Sequence, residues 1–137
     1  MHGTARLPDW PARLGAVVAA RLAEPFAWGG NDCAAFAADC VQAQCGTDRL
    51  APMRGPRGSE LQARRLLRRL GGWEVLTRCG LVPVPPAQAG RGDLVLLRQA
   101  AGEAPALGVC LGEVAVCPGA HGLARVAMRH ALRAWRV

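Results

Sequence analysis

A chain of 137 residues, 51% of them hydrophobic, can bury roughly two-thirds of its unfolded surface in one core, which argues for a single domain over residues 1–137 and against bulk disorder. The net charge of +7 arises from 17 basic residues, all arginine; it favours polyanions, but no aromatic-flanked basic cluster accompanies it, so nucleic acid is not the expected partner. No apolar run reaches the roughly 18 residues of a membrane span, and residues 1–9 lack the basic start and apolar stretch of a secretory signal.

In chain order, Asp9 can cap a first helix whose Pro11 falls in the tolerated first turn. Leu14, Val17, Val18 and Leu22 continue it at helical spacing until Glu24-Pro25 stops it. A bend at 26–30 leads to Asn31-Asp32, both good N-cap residues, and then to a helix from Cys33 to about Cys45, rich in alanine and closed by Gly46. Residues 47–58 hold Gly, Pro and Arg without a period and read as a loop. Ser59 with Gln62 forms a capping box that opens a third helix. Ala63, Leu66, Leu67 and Leu70 make its apolar stripe, while Arg64, Arg65, Arg68 and Arg69 cover the other side. A solvated face is the expected role of those arginines, with phosphate or an acidic partner as the functional alternative. Gly71-Gly72 ends the helix, and residues 73–79 add a short turn closed by Gly80.

Residues 82–86, Val-Pro-Val-Pro-Pro, read as an extended connector. Strands are expected at 93–97, 107–111 and 114–117, the last two joined by Gly112-Glu113 as a hairpin turn. An alternating segment at 122–128 follows, and residues 134–137 can end the sheet at an edge. The expected class is α+β, N-terminal helices packed on a C-terminal antiparallel sheet of four to five strands. Among the aromatic residues, Trp28 can line a groove or fill the core, and Trp10, Trp73 and Trp135 read as core or interface anchors, Trp135 in particular as a contact with a neighbouring subunit.

Six cysteines (33, 40, 45, 79, 110, 117) occur with no C-x-x-C pair, so reduced thiols are expected, with neither a metal nor a cofactor. Convergence of Cys33, Cys40, Cys110 and Cys117 is the arrangement that would hold zinc or an iron–sulfur cluster. Cys33 stands out. A thiol at a helix N-terminus faces unpaired N–H groups and the positive end of the dipole, which favour the thiolate and make it a candidate nucleophile.

Three segments in order carry a resemblance. Phe26-Ala27-Trp28-Gly29-Gly30-Asn31-Asp32-Cys33 is similar to the approach to the nucleophile helix of NlpC-type papain-like cell-wall cysteine peptidases. Arg91-Gly92-Asp93-Leu94-Val95 resembles that family's Gly-Asp-Leu-Val strand start, and Leu107-Gly108-Val109-Cys110-Leu111-Gly112 its Val-Gly-Ile-Tyr-Leu-Gly strand. The ending at 131–137 further resembles a small protein of tail modules in alphaproteobacterial phages and gene transfer agents. The resemblance implies a papain-like fold with Cys33 as nucleophile, attacking a peptide carbonyl of peptidoglycan. It also implies a base His immediately before the third segment, where this chain has Ala106, and a third polar position near Cys117.

With Gly112-Glu113 as the turn, Leu111 should pair with Val114, Cys110 with Ala115 and Gly108 with Cys117. Ala106, Gly108, Cys110, Ala115 and Cys117 then share a face of small residues, expected to seat the alanine-rich helix. Of the other histidines, His121 is the candidate substitute base, ahead of His2 and His130. Losing the base removes assistance worth roughly 10²–10⁴-fold. The expected function is therefore a structural or assembly component of a phage-type tail tip, on a peptidase scaffold with a degenerate active site. Its partners would be tail hub and tip proteins, with peptidoglycan second, and it would reside in the virion after synthesis in the bacterial cytoplasm. The alternative is an active cysteine peptidase or amidase that cleaves peptidoglycan during DNA delivery.

Overall fold

The computed structural model describes residues 6–137. Four helices come first: α1 (Trp10–Arg21), α2 (Cys33–Cys45), α3 (Glu60–Arg69) and the single turn α4 (Val75–Arg78). Six strands follow: β1 (Val82–Val84), β2 (Leu94–Leu97), β3 (Ala106–Cys110), β4 (Val114–Gly119), β5 (Gly122–Ala127) and β6 (Ala131–Arg136). The class is α+β, with one antiparallel sheet in the order β1-β6-β2-β3-β4-β5. Among the described residues, no helix is long and apolar enough to cross a membrane.

Local chemistry sets the helix boundaries. Asp32 accepts a hydrogen bond from the Ala35 N–H at 2.8 Å, and the helix ends at Gly46. Ser59 accepts from the Gln62 N–H, while the Gln62 side chain reaches back past Ser59 to the N–H of Gly58. Asp9 occupies the N-cap of α1 but does not cap it, because its carboxylate pairs with Arg13 one turn later. The expected loop at 47–58 contains one 3-10 turn, Ala51–Arg54.

The sheet departs from expectation in three ways. It has six strands rather than four to five, because residues 82–84 of the Pro-rich connector form an edge strand in which Pro83 lies opposite Trp135. Proline is tolerated at a sheet edge because the N–H it lacks can face away from the ladder. The C-terminal strand is not an edge: β6 lies between β1 and β2, and Trp135 is 0% exposed. So large an indole is more stable covered on both sides than left at a rim, and Trp135 is a core residue here rather than a contact for a neighbouring subunit.

The third correction concerns the face on which α2 rests. Phe36, Ala37 and Val41 of α2 join Leu107, Val109, Val116 and Trp135 in one core. Cys110, Ala115 and Cys117 do share a face, as alternation requires, but it is the opposite one, packed with Val95, Leu97 and Ala134. The small residues that permit close approach belong to the helix, where Ala37 and Ala38 are fully buried. The β3–β4 pairing itself is as expected, with Cys110 opposite Ala115 and the Leu111 N–H donating to Val114.

Candidate functional site

Cys33 opens α2, and its position is fixed from both sides of the chain. Upstream, the Asn31 amide donates to the carbonyls of Glu24 and Pro25 while its oxygen accepts from Arg21, which closes the bend at 24–31. Gly29 adopts φ +79°, and a Cβ there would lie 2.8 Å from the Arg57 carbonyl oxygen, so only glycine fits. Downstream, α2 packs through its alanines on β3 and β4.

Beneath Cys33 lies a buried ion pair. Arg57 Nε and Nη2 donate to the two carboxylate oxygens of Asp32 at 2.5 and 2.9 Å, and Arg57 Nη1 donates to the carbonyls of Met53 and Gly55. The N–H groups of Ala35 and Gly29 also point at that carboxylate. Burial alone would raise the Asp32 pKa, but the Arg57 hydrogen bonds, these two N–H groups and the guanidinium charge together hold it below the ordinary value. The sequence marks Asp32 as a cap; it does not mark Arg57, which sits in an aperiodic stretch. Gly55-Pro56 and Gly58 flank Arg57, but nothing in that stretch signals a buried side chain.

The surroundings of Cys33 do not favour the thiolate. Burial pushes its pKa up, and the Asp32 carboxylate adds to the rise. The N–H groups of Leu107 and Ala34 and the charge of Arg57 pull the other way without overcoming it. The helix N-terminus is thus outweighed by desolvation, because the thiolate would be a charge taken out of water.

Cys33 forms part of the wall of a cavity of about 130 Å³. Trp28, Met53, Leu66, Leu67, Leu70 and Trp73 line it, with Ala104 and Pro105 just before β3. The apolar stripe of α3 is therefore one wall of a pocket. Trp28, 39% exposed, stands at this cavity edge-on to Phe26 with ring centroids 4.7 Å apart. It is a lining residue more than core filling.

The remaining candidates fall as follows. Ala106 begins β3, between Pro105 in the pocket wall and Leu107, whose backbone bears on the ionisation of Cys33. Cys117 is close enough to Cys33 for the two thiols to influence each other; burial first, then Cys33, pushes it up to about 11. His121 is exposed in the β4–β5 turn and does not line the cavity, and His130 lies in the 3-10 turn Met128–His130. His2 lies outside the described residues. All six cysteines are free thiols, and among the described residues no three metal-ligating side chains converge.

The Arg-Gly-Asp segment at 91–93 turns out to be structural. Asp93 accepts from Arg6 at 2.8 Å, from the Gly90 N–H at 2.8 Å and from the Val137 N–H at 3.1 Å, so one carboxylate ties both ends of the chain to the start of β2.

No curated protein matches the chain significantly. Residues 5–137 match a family described as a domain of unknown function, DUF6950, and the chain belongs to that family.

Proposed function

We propose that this chain is a docking component of a phage-type or gene-transfer-agent tail tip, built on an NlpC-type papain-like scaffold whose peptidase chemistry is lost. The observation that carries the loss of chemistry is the wall around Cys33. Cys33 sits next to Asp32, whose carboxylate is already paired with Arg57, and among apolar side chains, and among the described residues no imidazole lines the cavity. A protonated thiol with no base beside it does not attack a carbonyl at a useful rate. The association with tails is supported by the resemblance of residues 131–137 alone.

Incubating the purified chain with isolated peptidoglycan and resolving the products by mass spectrometry tests the chemistry. Neither the wild type nor Cys33→Ala should release a fragment; release by the wild type that Cys33→Ala abolishes would establish the active peptidase, with His121 as the base to examine next. The scaffold correspondence has its own test. Ala106→His puts an imidazole where the family has one, and alkylation of Cys33 at pH 7 should then accelerate about tenfold. Unchanged alkylation would sink the correspondence. Proteomics of purified particles checks the tail association, and absence of the chain from them would overturn it.

A further inference from the structure

The cavity beside Cys33 has an unusual balance of charge. Each of its ionic side chains is already matched: Asp32 by Arg57 within the wall, Glu60 by Arg64 one turn along α3. The rest of the lining named above is apolar. An ionised ligand group entering it would lose its water and meet no free counter-charge, which is prohibitive. A neutral apolar group would gain from burial. The size is informative as well. A cavity of about 150 Å³ lined by aliphatic side chains accommodates benzene, and this one measures about 130 Å³, room for one leucine, methionine or phenylalanine side chain.

Arg64, in the cavity wall, begins a run of like charge along α3. On α3, Arg68 follows Arg64 by one turn, and Arg65 and Arg69 continue around the helix; all four are exposed. Against these four arginines the helix offers only Glu60, and among the described residues Arg65, Arg68 and Arg69 have no ion-pair partner. Opposite charge placed there would be attracted without having to be desolvated.

We propose that this pocket is the docking site for a protein segment that inserts one apolar side chain beside Cys33 and lays flanking acidic residues along the arginines of α3. The proposal rests on the non-catalytic docking reading and names the chemistry of the partner. An anchor residue filling a desolvated pocket under a charged rim is the usual anatomy of a short-segment binding site. Trp28 and Trp73, both in the wall, make occupancy visible.

The probe is an acetylated and amidated pentapeptide with a central leucine between two pairs of aspartates. Titrated into the full chain, it should change tryptophan fluorescence saturably and slow maleimide labelling of Cys33, followed by mass spectrometry. The same peptide with serine at the centre should not bind, and Arg68→Glu, an exposed change, should weaken the leucine peptide about fivefold while improving a version with lysine flanks. Equal binding of the aspartate and lysine peptides would overturn the charge assignment, and binding of the serine peptide would overturn the pocket. Failure of every peptide, with the chain still present in purified tails, would refute this site and leave the docking reading standing. Fragment release from peptidoglycan would refute both.

Discussion

Arg57 and Asp32 have 4% and 1% of their side chains exposed, so each has exchanged water for the other. Removing one partner leaves an uncompensated buried charge, a loss of about 3–5 kcal/mol. Arg57→Ala and Asp32→Ala should each lower the unfolding free energy obtained from urea denaturation by such an amount. The double variant should lose clearly less than the sum, since each single change already strands the other group; additive losses would show that the pair does not act as a unit. Only half of this pair is legible in the sequence. Asp32 is recognisable because a cap acts on a residue three positions away, whereas Arg57 contacts it across 25 positions, a pairing that exists only once the loop is packed.

Among the elements, helices were readable because their signals are local: the spacing of apolar residues, the Asp32 and Ser59 caps, the glycine after Cys45. The same holds for the β3–β4 hairpin, whose two-residue turn fixes its register. Strand order was not readable. A strand's neighbour is chosen by whichever pairing buries most, and β6 returns past three strands to lie between β1 and β2. The contact between the β4–β5 turn and the end of α1 is another non-local choice. Gly122 has φ +124° there, and a Cβ would stand 2.2 Å from the Leu22 carbonyl oxygen, whose hydrogen bond to the Leu123 N–H joins helix to sheet. Gly122→Ala should cost about 2–4 kcal/mol, from backbone strain and displacement of that carbonyl together. Gly112→Ala, also at positive φ but with open space around it, should cost clearly less in the same thermal melt. Equal losses would mean that conformation, not contact, sets the penalty.

At the scale of the whole molecule, ionisation bounds stability on both sides. The folded pKa of Asp32 lies below its ordinary 3.8, so its contribution is complete above that value and is lost as pH falls through the folded pKa. The thiols act in the opposite sense. Burial raises Cys33, Cys40 and Cys110, and raises Cys117 from 9.0 to about 11. Their protonated form is favoured by folding, so stability is intact below pH 9.0 and falls as pH climbs towards 11. Under reducing conditions the melting temperature should therefore form a plateau between about pH 4 and 9, with both flanks descending. Cys117→Ala should flatten the alkaline flank; an unchanged flank would mean that Cys117 does not titrate with folding.

The amino-acid sequence by itself determined the class, the helix boundaries, the central hairpin and the place of Cys33 at the tip of α2, because each of these follows from interactions within a few residues. Tertiary structure alone decided which sheet face receives the helix, which strand lies inside the sheet, and that the apolar stripe of α3 closes a pocket over Cys33. It also decided the state of the thiol. A helix terminus favours the thiolate, but distant segments packed around a partly buried Cys33 push its pKa up, because a charge there is less well hydrated than in water.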